Sequence, residues 1–352
     1  MAYTTIDDPT EYFETTLFTG NGSTQNITGL NFQPDWIWYK RRNSTNHHRL
    51  IDSVRGSNKN IATDLANAEN TEATYVSSFN SDGWSIGSNT DINASNDTIV
   101  AWAWKAGTSF TNDASATSVG TIDSTGSVSD TAGFSIVSYT GTGSAGTVKH
   151  GLSTTPAVVL VKSRGGVYGW GMYHHKNTSA PETDYLSINN SDATVDDAVF
   201  WNDTAPTSSV FSLGGTDAIN KASTTHIAYC FAEKKGYSKF DSYTGNGNAD
   251  GAFVYTGFSP SFVLLKETSN ANNWMIFDNK RSPFNLMDDF ISPDISDVES
   301  TGNANNRMDM LSSGFKIRGT GSATNRSGST FIYMAFASSP FTTSTGISTT
   351  AR

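Results

Sequence analysis

Three ring side chains each stand eight residues after a lysine: His48 after Lys40, Trp170 after Lys162 and Trp274 after Lys266. Two of the rings are followed by a carboxylate and a guanidinium at the same offsets, Asp52 with Arg55 and Asp278 with Arg281. A carboxylate, a guanidinium and a nearby indole can grip sugar hydroxyls and stack on a pyranose face, which makes Trp274, Asp278 and Arg281 ligand-binding candidates. The same groups can form an ion pair that pins the loop after a strand, and recurrence at two sites favours that structural role. The third set departs from the pattern, with His174 and Asn177 in the acid and base positions. There Trp170, Tyr173, His174, His175 and Trp201 make an aromatic-rich group without the charged pair. If one set is specialised for a ligand, it is this one.

Other chemistry is harder to assemble. A glycosidase needs two carboxylates a fixed distance apart at one cleft, and pairs such as Asp184 with Asp192 or Asp288 with Asp289 read better as solvated loop acids. The paired histidines His47-His48 and His174-His175 point to opposite faces if they lie on strands, so neither pair chelates one metal there. No hydrolase elbow, zinc-protease helix or phosphate loop is present. Cys230 is the sole cysteine, which excludes an intrachain disulfide, and it reads as a small buried hydrophobe. The expectation is a protein that is not an enzyme and holds neither metal nor cofactor.

The elements that carry these residues are written three times. Each copy opens on an aromatic-Thr-Gly-x-Gly turn, at Phe18–Gly22, Tyr139–Gly143 and Tyr243–Gly247. Each continues to a proline with a lysine six residues later, Pro34 to Lys40, Pro156 to Lys162 and Pro260 to Lys266. The residues between them are apolar on both pleat faces, so this strand should be covered on both sides. Each copy ends on a strand lying between an asparagine and an aromatic eleven residues later: Asn93 to Trp104, Asn220 to Phe231, Asn325 to Phe336. One face of that closing strand is bulky (Val100, Trp102, Trp104; Ile227, Tyr229, Phe231; Ile332, Met334, Phe336), and the other is mostly alanine. This alternation predicts sandwiches in which the bulky face fills the core and the small face admits another layer.

Composition agrees. Among 352 residues, 16% are charged, against about 25% in typical globular proteins, and 12% are aromatic. Ser, Thr, Asn and Gly replace the charges, a mixture that builds strands and turns more readily than helices. The fold expected is all-β, three tandem antiparallel β-sandwich domains. The boundaries expected are 1–106, a Ser/Thr/Gly-rich linker or peripheral strands over 107–132, then 133–235 and 236–352. A net charge of −10 with no basic cluster disfavours nucleic acid as a partner. No apolar run long enough to span a bilayer appears, so membrane insertion is not expected.

The stretches YFETTLFTGNG, PDWIWYKRR, LIDSVRGSNK, IVAWAWKAG, HGLSTTPAVVLVKSR and FVYTGFSPSFVLLK resemble a family of marine bacteriophage tail, tail-fibre or virion proteins of unknown function. The resemblance spans nearly the whole chain. It implies a component of the phage particle, exposed on the virion, built from jelly-roll modules similar to concanavalin or laminin-G domains. Its partners would be other virion proteins and a host surface glycan or protein receptor. A tail-fibre or receptor-recognition role competes with a capsid decoration or tail adaptor role and with a glycan-degrading tail enzyme. Such components are commonly trimeric, so either a homotrimer or a pseudo-three-fold arrangement within one chain is expected.

Overall fold

The computed structural model describes residues 3–349. It is all-β, and it builds one antiparallel four-stranded arrangement three times. In the first repeat the opening strand Phe13–Thr19, central strand Trp36–Arg41, following strand Arg49–Asp52 and closing strand Thr98–Trp104 lie in the order opening, closing, central, following. The second repeat reaches the same order with Phe134–Thr140, Thr225–Phe231, Val158–Ser163 and Gly171–His174. The third does so with Ser238–Thr244, Thr330–Pro340, Phe258–Glu267 and Met275–Asp278. Register is shared too: Trp36 lies opposite Trp104, Val158 opposite Phe231 and Phe262 opposite Phe336. Residues 107–132 contribute two more strands, Thr108–Asn112 and Ser124–Ser129, which extend the second sheet beyond its opening strand.

Each main sheet faces a smaller one. The smaller sheets are Gln25–Thr28, Gly83–Ile86 and Val76–Asn80; Gly146–Lys149 with Val210–Leu213; and Phe253–Tyr255, Gly314–Ile317 and Met308–Leu311. The small face of the closing strand lines the space between the two sheets. Ala101 and Ala103 pack there with Ile37, Tyr39 and Trp84. Ala228 and Cys230 pack with Val159, Phe211 and Leu213, and Ala335 and Ala337 with Val263, Phe315 and Ile317. The smaller sheet supplies a large ring in each case, and alanine opposite leaves room for it.

The bulky faces turn the other way, which corrects the expected assignment. Trp102, Trp104, Tyr229, Phe231, Met334 and Phe336 belong to one hydrophobic cluster drawn from all three repeats. Trp104 meets Phe336 with ring centroids 5.6 Å apart, Phe231 meets Phe336 at 6.0 Å, and Trp36 of the first repeat stacks on Tyr229 of the second at 4.6 Å. A strand's alternation fixes which residues share a face, but not which layer that face meets. The central strand is covered on both sides as its sequence requires, with Trp36 and Trp38 in the shared cluster and Ile37 and Tyr39 in the first repeat's own core. A void of about 10 Å³ remains among Trp36, Trp104, Phe231 and Phe336, at the lower limit for holding a water.

The recurring asparagine explains the turn motif. Asn93, Asn220 and Asn325 are fully buried. The Asn325 side chain donates to the carbonyls of Asn248 (2.7 Å) and Gly319 (2.8 Å) and accepts from the Asn246 amide (2.9 Å). Asn220 does the same with Ser144, Gly214 and Thr142, and Asn93 with Ser23, Gly87 and Asn21. The last glycine of each turn lies at positive φ, 71° at Gly22, 73° at Gly143 and 67° at Gly247, a conformation costly for residues with a Cβ. The turn is therefore a clamp for the closing strand.

Candidate functional site

The three rings after the lysines do not open onto a cleft. Each is buried and bonded to the neighbouring repeat. Trp170 Nε1 donates to the carbonyl of Ala62 at 2.9 Å, joining the second repeat to the first. Trp274 Nε1 donates to the carbonyl of Ser187 at 3.1 Å, joining the third to the second. His48 Nδ1 accepts from Trp38 Nε1 at 2.9 Å, which leaves its Nε2 proton for the carbonyl of Ser292 at 3.1 Å and joins the first repeat to the third. Second to first, third to second and first to third is a closed ring. Burial, then the nearby Lys40 charge, holds His48 well below the ordinary histidine range, in keeping with a neutral imidazole.

The acid–base pairs lie in the same seams. Asp278 Oδ2 accepts from Arg281 Nε at 2.5 Å and from Trp102 Nε1 of the first repeat at 3.0 Å. Arg281 also donates to Glu299 at 2.8 Å, and Glu299 in turn takes Arg42 of the first repeat at 2.8 Å. The first repeat repeats this geometry against the second. Asp52 accepts from Arg55 Nε at 2.5 Å and from the Tyr229 hydroxyl at 2.7 Å, while Glu69 bridges Arg55 at 3.3 Å and Arg164 at 2.8 Å. The side chains of Asp52, Arg55, Asp278 and Arg281 have no exposed surface. These groups bind one another across repeats.

The third seam is neutral on both sides. His174 replaces the aspartate, Asn177 the arginine, Thr194 the glutamate and Thr268 the arginine of the neighbouring repeat. The backbone is unchanged: Thr194 N donates to the Thr268 carbonyl at 2.9 Å, as Glu69 N does to Arg164 and Glu299 N to Arg42. Thr194 Oγ1 donates to Asn177 Oδ1 at 2.6 Å. At the position of the third closing strand equivalent to Tyr229 and Trp102 stands Met334, which has no proton to offer. His174 Nδ1 accepts from the Lys176 amide at 3.1 Å, and its Nε2 donates to the Tyr333 carbonyl at 3.2 Å. Burial and the adjacent His175 push its pKa down to about 3.

The remaining candidates are structural in placement. His175 is half-buried and its Nε2 lies 2.6 Å from the Phe240 carbonyl. Tyr173 and Trp201 are buried in the second repeat's own core, edge to face at 6.0 Å, and Trp201 Nε1 donates to the Asp184 carbonyl at 3.1 Å. The structure thus brings Trp170, Trp274, His174, Asp278 and Arg281 to the inter-repeat seams, and separates Tyr173 and Trp201 from them. Lys40, Lys162 and Lys266 are buried there too, each donating to backbone carbonyls, and desolvation lowers each to about 8. Cys230 lies buried in its alanine slot, its thiol pushed up to about 12 by burial. Among the described residues, no three His, Cys, Asp or Glu side chains converge to hold a metal.

Sequence reasoning missed Glu69, Glu299, Arg42 and Arg164, and did not see that Trp102 and Tyr229 carry donors for the aspartates. The glutamates lie 14 residues after Arg55 and 18 after Arg281, so the intervening loops hide their equivalence from spacing.

Fold and seams together define an all-β protein of three interlocked sheet pairs, closed into a ring by buried polar bonds. Residues 8–340 match the family described as domain of unknown function DUF7483, and the chain belongs to that family. No curated protein shows a significant match to it.

Proposed function

We propose that this is a non-enzymatic bacteriophage virion protein, a tail-fibre or receptor-recognition component that meets the host surface through sandwich loops. The observation that carries this reading is the use made of its chemistry-bearing residues. The carboxylates, guanidiniums and indoles of a type that can serve a ligand instead hold three sheet pairs in one rigid block. A rigid block without disulfides suits a particle component built in a reducing cytoplasm and then exposed outside. The resemblance to phage tail proteins supports the location. The shared strand order supports reading each repeat as a jelly-roll module of the concanavalin or laminin-G kind. Because the ring of seams closes within one chain, three-fold character needs no homotrimer, and we favour the single-chain arrangement.

Gold-labelled antibody against the chain, applied to intact particles, tests the reading: label at the tail tip together with blocked host adsorption is expected. Label confined to the head would favour the decoration role, and no label on particles would remove the virion reading.

A further inference from the structure

Equivalent positions in the three repeats provide an internal control for what the surface is used for. On the first strand of each smaller sheet, flanked in the second repeat by a bridge from Ile122 to Val148, the inward residue is buried, as Ile27, Val148 and Val254, and its two neighbours lie on the opposite face. The outward pair is Asn26 with Thr28 in the first repeat and Thr147 with Lys149 in the second. In the third repeat it is Phe253 with Tyr255, paired across the sheet with Lys316 and Gly314. Phe253 is 50% exposed and Tyr255 58%. The fold does not need aromatic rings there, since two copies place polar side chains in the same register. Across Gly314 stands Leu311, where the first repeat has Asn80 across Gly83.

Phe253 also walls a groove of about 900 Å³, within the size range of ligand sites. Its other walls are the turn Leu311–Ser313, the segment Pro283–Asn285, and Ser259, Ser338 and Ser339. Phe284, between two lining residues, is 81% exposed. Every exposed aromatic among the described residues, Phe253, Tyr255, Phe284 and Phe341, falls after residue 250. The lining is rich in hydroxyls, and among the described residues those of Ser259, Ser312, Ser313 and Ser339 have no hydrogen-bond partner. The nearby charges are already paired, Lys316 with Asp250 at 2.5 Å and Arg318 with Asp309 at 3.4 Å.

We propose that this outer face and groove of the third repeat form a saccharide-binding site, with Phe253 and Tyr255 as the stacking platform and the serine hydroxyls as the hydrogen-bonding edge. A pyranose offers an apolar C–H face and an equatorial rim of hydroxyls, and this surface offers the complement of both. A nucleic acid or an acidic peptide would call for unpaired cations, and a purely apolar partner would leave the serines unsatisfied. The proposal rests on the host-recognition reading and names its site and ligand class.

Calorimetric titration of the full chain with a panel of neutral hexose and N-acetylhexosamine oligosaccharides tests it, with Phe253→Ala/Tyr255→Ala as variant and Asn26→Ala/Thr28→Ala as control. Binding of at least one sugar is expected, weakened about tenfold or more (about 1.4 kcal/mol) in the first variant and unchanged in the control, with thermal midpoints preserved in both. Binding that survives the Phe253/Tyr255 change overturns the site while leaving host recognition intact. No binding across the panel, or a variant whose sole effect is to dissociate an oligomer, overturns the ligand class. Sugar binding at this site by a chain that labelling places inside the particle would uphold the site and sink the host-recognition reading.

Discussion

The Tyr229 hydroxyl of the second repeat donates to Asp52 of the first at 2.7 Å, and Trp102 of the first makes the equivalent bond to Asp278 of the third at 3.0 Å. In the third seam both positions differ: Met334 stands where Tyr229 and Trp102 stand, and His174 where the aspartates stand, so no carboxylate is buried there without its donor. Tyr229→Phe should therefore destabilise by about 1–3 kcal/mol, whereas Met334→Leu at the equivalent position should cost less than about 1.5 kcal/mol. Urea unfolding followed by circular dichroism measures both.

Arg281 lies between two carboxylates, Asp278 at 2.5 Å and Glu299 at 2.8 Å. Arg281→Met would leave the buried Asp278 without a cationic partner, while Glu299 keeps Arg42, and a loss of about 3–5 kcal/mol is expected. Asn177→Ala, at the same offset in the neutral seam, should cost about 1 kcal/mol, the worth of one neutral hydrogen bond. Equal losses in denaturant midpoints would show that the charged seams carry no special weight.

Replacing Asn325 with alanine removes two donated bonds and one accepted bond from a fully buried clamp. Stability should fall by about 2–4 kcal/mol, and the amides of Gly245 and Gly247 should lose hydrogen-exchange protection first. An unchanged exchange pattern at that turn would disconnect the asparagine from the turn it is thought to hold.

Two sets of groups give the protein opposing pH dependences. Burial lowers His150 and His226 to about 4 and His174 to about 3, below the ordinary 6.5. The unfolded chain then binds more protons, so the stability these histidines confer is present above pH 6.5 and is lost as pH falls through about 4 to 3, by roughly 3 kcal/mol per group. Asp294 is raised by burial from 3.8 to about 7, so its contribution is full below 3.8 and is lost as pH rises through 7. Asp294→Asn should gain stability relative to the parent as pH rises from about 4 to 7. Thermal melts across that range decide it, and a constant difference between the two proteins would contradict the assignment.

How much of this could be read beforehand follows from how β structure preserves spacing. The offsets from lysine to ring, aspartate and arginine survive because a tight connection joins the central strand to the following one. The asparagine-to-aromatic offset survives because the asparagine ends a short helical turn and only a four-residue connection and one strand follow it. What could not be read was the third dimension. The strand Thr98–Trp104 announces one bulky face and one small face, but only packing decides that Trp102 and Trp104 look toward the other repeats while Ala101 and Ala103 line the sandwich. For the same reason Trp274, Asp278 and Arg281 read equally well as a sugar cradle or as an internal pin. The rings that do reach the surface, Phe253 and Tyr255, alternate with a buried valine and carry no signal beyond an ordinary strand.

The account stands most directly on Phe336, which touches Trp104 of the first repeat and Phe231 of the second. Native-state hydrogen exchange on Phe336→Ala, a change expected to cost about 3–5 kcal/mol, should lower the opening free energy of all three closing strands, Thr98–Trp104, Thr225–Phe231 and Thr330–Pro340, by the same amount. A loss confined to the third strand, with the first two exchanging as in the parent, would mean that the repeats are separate bodies and that no shared core exists.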